Sequence, residues 1–145
     1  MFGVSGSKNV GAFIKPVTGI FPVNSAAGTV EGPGIDRFPD VGKQFDSCVL
    51  KLARGQDSGG ADPHSVAAIL EESSVQDDGA TWSAIAGASI AALTVDDTEA
   101  QVDVDLTGAK RYIRVVAVVT LTAGSSPKLP FSADIILGGP KELPV

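Results

Sequence analysis

Groups that carry out chemistry are scarce in this sequence. Its 145 residues include one cysteine, Cys48, and one histidine, His64. A single cysteine excludes an internal disulfide framework. Cys48 and His64 together provide too few soft ligands for a zinc site. A Ser–His–Asp relay needs three side chains whose tips meet, which neighbouring residues in the polar loop 62–65 are poorly placed to do. The sequence therefore predicts no enzyme, no catalytic residue and no cofactor.

Long apolar runs and aromatic residues are also few. No run approaches the roughly 18 apolar residues of a membrane helix, and the N-terminal stretch MFGVSGSKNVGAF lacks the charged start and apolar block of a secretory signal. The aromatics are six Phe, one Trp and one Tyr, so the core must be built from Val, Ile, Leu and Ala. These absences are typical of a protein made and used in the cytoplasm, with no membrane partner.

Basic residues are missing from the middle of the chain. Residues 55–109 contain eleven Asp or Glu and no Lys or Arg, whereas residues 1–54 contain six basic residues and residues 110–145 contain five. The acidic middle argues against a nucleic-acid partner, because phosphate contacts need a basic face. Such a block is typical of a solvated, solubilising surface. Alternatively, the basic ends face an acidic partner while the middle points to water.

Oxygen ligands for a metal occur only as fragments of known patterns. The stretches 96–99 (DDTE) and 103–105 (DVD) have part of the spacing of a calcium loop, which places oxygens at every second residue and closes with a carboxylate. We interpret these carboxylates as solubilising groups, with calcium binding as the alternative. The sequence thus predicts no metal site.

The segment 110–122, KRYIRVVAVVTLT, predicts the central strand of the fold. Its odd-numbered positions from Ile113 to Leu121 form an unbroken apolar face, and its even-numbered positions are rich in β-branched residues. Such residues fit a pleated surface and lose side-chain freedom in a helix. We therefore expect a strand that is buried mostly on both faces.

Further alternating segments bring the expected number of strands to seven or eight. Cys48 lies on the apolar face of segment 45–54, where we expect a small buried hydrophobe. Trp82 is predicted to be a core or hairpin anchor. Residues 87–93 fit either a short strand or a helical turn. No amphipathic helix separates the strands, so the predicted fold class is all-β, an antiparallel β-sandwich or jelly roll over residues 46–138 with a tail at 139–145. The clear segments are 45–54, 65–73, 80–86, 101–106 and 129–137.

Residues 1–45 have a different composition from the rest. Their apolar residues occur in singles and pairs between Gly, Ser and Asn, and four prolines, Pro16, Pro22, Pro33 and Pro39, each remove a backbone donor. The segment is too apolar for a solvated linker, so we predict an extended Gly/Pro-rich N-terminal arm that gains its order by lying across another molecule. The alternative is an edge strand or two, near residues 12–21, packed on the protein's own sandwich, and the arm can include such a strand.

Five short stretches stand out together: AILEESS (68–74), DGATW (78–82), KRYIRV (110–115), LGGP (137–140) and LP (143–144). In combination they resemble small virion proteins of tailed bacteriophages, in particular the capsid decoration or cement class. The likeness covers roughly residues 45–145 and consists of β-sandwich patterns rather than chemical signatures. It implies a homo-oligomeric protein that binds the outside of an assembled head in the virion, bridges major capsid subunits, and is assembled in the host cytoplasm.

On this hypothesis the arm contacts the major capsid protein and neighbouring copies of the chain in a dimer or trimer. Proline lowers the entropy lost on docking, and the basic ends suit an acidic shell. The alternatives are a phage tail or head-completion protein, or a β-sandwich carbohydrate-binding module with Trp82 and Tyr112 as platform aromatics. The predicted partner contacts are Phe2, Lys8, Phe13, Ile14, Lys15, Ile20, Phe21, Arg37 and Lys43.

Overall fold

The computed structural model describes residues 14–38, 44–60, 62–76 and 81–140. Within these ranges the chain forms nine β-strands. None of the described segments forms a helix long and apolar enough to span a membrane. In chain order the strands are β1 (Ile14–Ser25), β2 (Gly28–Glu31), β3 (Ile35–Asp36), β4 (Phe45–Arg54), β5 (His64–Ser73), β6 (Ser83–Leu93), β7 (Thr98–Asp105), β8 (Tyr112–Leu121) and β9 (Leu129–Pro140).

The strands form two antiparallel sheets. Sheet A has the order β1-β9-β4-β7, and sheet B has the order β2-β8-β5-β6 with β3 also paired to β8. The pairs are nested along the chain: β1 with β9, β2 and β3 with β8, β4 with β7, and β5 with β6. Winding one long hairpin into a two-sheet jelly roll produces this kind of nesting. The predicted all-β antiparallel sandwich is confirmed.

The space between the sheets is filled mainly by aliphatic side chains. The odd-numbered positions of β8 and β9 point into it, and β4 adds Cys48, Leu50 and Leu52. Each fully buried Val, Leu or Ile contributes roughly 1.5–3 kcal/mol relative to exposure. Burial also raises the pKa of the Cys48 thiol to about 12, so this residue behaves as a small hydrophobe, as predicted.

β8 is an inner strand of sheet B, as predicted, but it is not buried on both faces. Its inner face includes Ile113 and Val115, both fully buried, whereas Val118 on the outer face is 49% exposed. The expectation of two buried faces is wrong because a two-layer sandwich covers only the inner face of each sheet. The β-branched residues at the even-numbered positions reflect the pleated backbone rather than a second buried layer.

Much of the predicted arm belongs to the sandwich. β1 pairs with β9 from Ile14 to Ser25, and Ile20 and Ile35 are 3% and 7% exposed in the core. For residues 14–38 the structure therefore has the edge strand that the prediction allowed, packed on the protein's own sandwich, rather than an arm lying across another molecule. Pro16 and the two register shifts fit because an edge strand tolerates missing donors and bulges. Residues 1–13 and 39–43 lie outside the described residues, and for them the arm stays a prediction.

The other end of the chain needs a smaller correction. The predicted tail from residue 139 is wrong for Gly139 and Pro140, because β9 extends to Pro140 and pairs there with Phe45 of β4. Gly139 has φ 59°, a left-handed conformation that glycine adopts easily. Residues 141–145 lie outside the described part of the chain.

Two glycines allow the edge of sheet A to approach sheet B. A Cβ atom on Gly32 would lie 2.0 Å from the carbonyl oxygen of Gly19, and one on Gly19 would lie 2.6 Å from Cγ2 of Val115. Only glycine fits at such a close approach of two backbones. The contact brings β1 of sheet A beside the β2–β3 turn of sheet B.

Candidate functional site

One cluster of titratable side chains lies at the end of the sandwich where β4 finishes. Asp57, His64 and Asp96 each place a polar atom within 4.8 Å of the others. His64 Nδ1 is 3.0 Å from Asp57 Oδ1, while Nε2 is 3.1 Å from the carbonyl oxygen of Thr94 and 3.9 Å from Asp96 Oδ1. The two carboxylates thus approach different ring nitrogens. This geometry suits an imidazole that hydrogen-bonds on both sides better than three ligands around one ion.

Arg54 completes the cluster from inside the sandwich. Its side chain is fully buried, and its guanidinium donates to the carbonyl oxygen of Leu93 at 3.1 Å and to the carboxylate of Asp96. The charge of Asp96 is therefore already compensated within the chain. The four side chains hold the β4–β5 loop against the β6–β7 loop, and we interpret them as a structural clamp.

Arg37 has the same kind of role at the opposite end of β4. Its side chain is 3% exposed, and Nε and Nη1 donate to the carbonyl oxygens of Lys110 and Phe45 at 2.8 and 2.9 Å. A further hydrogen bond reaches the carbonyl oxygen of Ala109. Arg37 was expected to contact a partner, and this expectation is corrected, because a buried guanidinium bound to its own chain has little surface to offer.

One exposed aromatic residue lies on the edge strand β1 and faces the segment that follows β2. Phe21 on β1 is 68% exposed, and it lines a surface hollow of about 420 Å³ together with Lys15, Pro33 and Asp36. Single exposed apolar residues are ordinary on protein surfaces, but an exposed aromatic beside a hollow and a cation is typical of an interaction site. The sequence predicted Lys15 and Phe21 as partner contacts, and the structure places both on this surface.

The same region contains a bidentate ion pair. Arg111 donates to Asp36 through Nε and Nη2 at 3.0 and 2.9 Å, and these hydrogen bonds hold the pKa of the Asp36 carboxyl below its usual value of 3.8. The Arg111 guanidinium carbon also lies 5.7 Å from the ring centre of Phe38 and 5.3 Å from that of Tyr112. Arginine and aromatic side chains are the types enriched in interface hot spots. We use the name β3 surface for Lys15, Phe21, Pro33, Asp36, Phe38, Arg111 and Tyr112.

Trp82 lies near this surface but is not an open platform. It precedes β6 and is partly buried, and its ring centre is 4.7 Å from the guanidinium carbon of Arg114. Arg114 also binds Glu31 at 3.2 Å and Glu71 at 2.8 Å. Trp82 is therefore an anchor on the outside of sheet B rather than part of the core. A ring that stacks on a guanidinium has one face less for a sugar to stack on.

The predicted contacts are distributed unevenly over the molecule. Ile14, Lys15 and Phe21 reach the surface, whereas Ile20 and Arg37 are buried. Phe2, Lys8, Phe13 and Lys43 lie outside the described residues. Sequence reasoning missed the Asp36–Arg111 pair and the aromatic contacts around it. The register that pairs Asp36 with Tyr112 brings them together, and no spacing in the sequence signals it.

Comparison with known proteins gives a weak structural likeness. No family model and no curated protein matches the chain. A structure of infectious bursal disease virus, Gx strain, matches at 10% identity and TM-score 0.48, covering 90% of this chain and 33% of that one. Desmodium yellow mottle tymovirus matches at 12% identity and TM-score 0.32, covering 90% and 85%. An adhesin domain of Lys-gingipain from Porphyromonas gingivalis matches at 13% identity and TM-score 0.35, covering 85% and 73%.

The chain spans a third of the length of the bursal disease virus chain that it matches. All three TM-scores are below 0.5 and all three identities are 13% or lower. These likenesses therefore carry no inference about function, which has to rest on the residues of this chain.

Proposed function

We propose that the chain is a non-enzymatic structural protein of a virion, a capsid decoration or cement protein that binds major capsid subunits through the β3 surface. The supporting observation is the exposure of Phe21, 68% of whose surface faces water on a strand that is otherwise part of the sandwich. Covering such a side chain with a partner removes apolar area from water, which favours binding. The resemblance of the sequence to phage cement proteins suggests which partner that is.

The state of the other polar groups supports a binding role over catalysis. Among the described residues, Asp57, His64 and Asp96 form the one cluster of potential metal ligands, and the clamp with Arg54 already engages it. The space between the sheets is packed with side chains rather than open to a ligand. Jelly rolls serve as viral capsid and lectin domains, although a fold alone does not decide between such functions.

The charge of the β3 surface favours an acidic partner. Arg111 neutralises Asp36, so Lys15, which is exposed, adds a positive charge beside Phe21. Complementary charge mainly raises the association rate and orients the partner. An acidic patch on the capsid shell would meet this requirement, and the acidic residues of the β4–β5 and β6–β7 loops lie at the opposite end of the sandwich.

Co-sedimentation with capsid shells that lack the protein tests the proposal. We expect the wild-type chain to bind the shells and to raise their melting temperature. Phe21→Ser should weaken binding at least tenfold while leaving the far-UV spectrum and the Tm of the chain unchanged. Val118→Ser is the matched control, because Val118 is also an exposed apolar residue, 49% exposed, but lies on the outer face of sheet B.

Three results would contradict the proposal. The first is a wild-type chain that neither sediments with the shells nor changes their melting temperature. The second is equal binding by the Phe21→Ser and wild-type chains, which would show that the shells are contacted elsewhere. Loss of binding in both the Phe21 and Val118 variants would also contradict a site restricted to the β3 surface.

A further inference from the structure

The guanidinium of Arg111 has hydrogen-bond donors that its own chain does not use. Nε and Nη2 donate to the two carboxylate oxygens of Asp36 at 3.0 and 2.9 Å, whereas Nη1 has no acceptor among the described residues. A guanidinium carries five N–H donors in a planar fork, and the pair with Asp36 occupies two of them. Because the Arg111 side chain is 52% exposed, the other donors are accessible to a partner.

Arg114, three residues further along the chain, has no such capacity. Its Nε and Nη2 lie 2.8 Å from a carboxylate oxygen of Glu71, and its Nη1 lies 3.2 Å from one of Glu31. Its side chain is only 16% exposed. The other two arginines in the sequence are buried and bound to carbonyl oxygens. Arg111 is therefore the arginine that can bind a further anion.

Aromatic rings hold the Arg111 guanidinium in place. Its carbon lies 5.7 Å from the ring centre of Phe38 and 5.3 Å from that of Tyr112. The Phe38 ring in turn lies 5.0 Å from the guanidinium carbon of the buried Arg37, and the Phe38 backbone N–H donates to Asp36 at 2.9 Å. These contacts anchor the guanidinium to the body of the sandwich. A side chain that is ordered before binding loses less conformational entropy when a partner docks.

The charges beside Arg111 leave one cation uncompensated. Asp36 is the carboxylate that pairs with Arg111. The hydrogen bonds from Arg111 lower the pKa of the Asp36 carboxyl, and the nearby positive charge of Lys15 acts in the same direction. Two cations and one carboxylate sum to a charge of +1, which one additional carboxylate neutralises. Arginine binds carboxylates through parallel N–H···O bonds, which fix the orientation of the bound group.

A protein carboxylate matches this arrangement better than a phosphate chain does. A nucleic acid carries a negative charge at every phosphate and needs a continuous basic face, whereas these groups leave one uncompensated cation on a chain of net charge −6. A single carboxylate needs no wider basic region. The side chains of Phe21 and Pro33 line the hollow that Asp36 also borders, so they can contact the residues that adjoin the carboxylate.

We propose that Arg111 binds one Asp or Glu carboxylate of a capsid subunit through the unused donors of its guanidinium, and that this contact orients the subunit on the β3 surface. The contact rests on the function proposed above, and it identifies the chemical group that the β3 surface recognises. Phe21 supplies apolar contact area, and Arg111 supplies the direction in which the partner docks.

Binding of Arg111 variants to capsid shells tests this contact. Arg111→Lys keeps the positive charge but loses the planar fork, so we expect roughly fivefold weaker binding, and Arg111→Gln should bind roughly tenfold more weakly. Arg114→Lys is the matched control, because Arg114 also lies beside an aromatic ring but its donors are already engaged, and it should bind within about twofold of the wild type. Far-UV spectra and melting curves establish that each variant is folded. Equal binding by Arg111→Lys and the wild type would overturn the proposal, because charge alone would then suffice.

The partner's side of the contact is tested by neutralising the carboxylates of the shells. Converting them to amides with a carbodiimide and ethanolamine should weaken wild-type binding by a factor roughly five times larger than for Arg111→Gln, because that variant has already lost the interaction. Equal factors would overturn the carboxylate contact. If the shells bind Arg111→Gln as well as the wild type but discriminate against Phe21→Ser, the contact is overturned and the proposed function stands. Shells that bind no wild-type chain would overturn both.

Discussion

The two ends of the sandwich each contain one buried arginine, and a comparison of them separates what holds the fold together from what faces a partner. Arg37 precedes β4 and Arg54 ends it, so they lie about one strand length apart. Arg37 donates mainly to backbone carbonyl oxygens, among them those of Lys110 and Phe45. Arg54 donates to the carbonyl oxygen of Leu93 and to the carboxylate of Asp96.

The surroundings of the two arginines differ more than their hydrogen bonds do. Beside Arg37 lie the Phe38 ring and the Arg111 guanidinium, whereas beside Arg54 lie Asp57, His64 and Asp96. Both arginines satisfy loop carbonyls that would otherwise be buried without a donor. The Arg37 end combines aromatic rings with a half-exposed guanidinium, and these residue types are enriched in interface hot spots.

The largest effect is expected from Arg37→Ala. The change leaves the carbonyl oxygens of Phe45, Ala109 and Lys110 without their donor, and the cost should be about 3–5 kcal/mol of unfolding free energy. Urea denaturation followed by fluorescence measures it. Arg111→Ala is the control, because this arginine is 52% exposed and should matter little. A loss below about 1 kcal/mol for Arg37→Ala would remove the structural role assigned to it.

A smaller loss, about 2–3 kcal/mol, is expected from Arg54→Ala. Asp96 is 41% exposed, so water can solvate its carboxylate after the arginine is removed, and the carbonyl oxygen of Leu93 is the main group left unpaired. The measurement is the same urea titration, with Lys51→Ala as the control for an exposed ion pair worth less than about 1 kcal/mol. If Arg54→Ala were more damaging than Arg37→Ala, the contrast between the two ends would be reversed.

The smallest effect concerns the Asp36–Arg111 pair. Arg111 lowers the pKa of Asp36 in the folded chain. The ionised carboxyl therefore stabilises the fold at pH values above 3.8, the usual pKa of the group. This contribution is lost as the pH falls through the lowered pKa of the folded chain. Asp36→Asn should therefore lower the Tm by about 2 °C or less near pH 7. The difference between the two proteins should shrink as the pH falls below 3.8 toward the lowered pKa of Asp36. Melting curves from pH 7 to 2.5 show this, and a constant difference across that range would contradict it.

The local alternation of apolar and polar residues was sufficient to predict most strands of the sandwich. The predicted strands 45–54, 65–73, 101–106 and 129–137 correspond to β4, β5, β7 and β9 because each has an apolar face with period two. The segment 87–93, which fitted a strand or a helical turn, continues β6. Here Gly87 has φ 77° and the pairing with β5 shifts register, so the alternation is interrupted inside a single strand.

The first third of the chain could not be placed in the same way. β1 contains prolines and shifts register twice against β9, so it lacks a clean period of two. Its partner lies more than a hundred residues away, and no local pattern identifies such a pairing. The candidate site has the same difficulty, since Lys15, Asp36 and Arg111 come from three distant segments. Of the contacts that composition suggested, Lys15 and Phe21 are exposed, whereas Ile20 and Arg37 are buried.

The nesting of the strand pairs has a consequence for how the chain is made. The innermost pair, β5 with β6, can form as soon as both strands have left the ribosome, whereas β1 must wait for β9. During that interval the backbone donors and acceptors that β1 has are not paired with β9 and are open to other chains. The prolines and bulges that obscured β1 in the sequence also make it a poor template for strand addition. The irregularity of β1 thus protects the nascent chain until its own partner strand arrives.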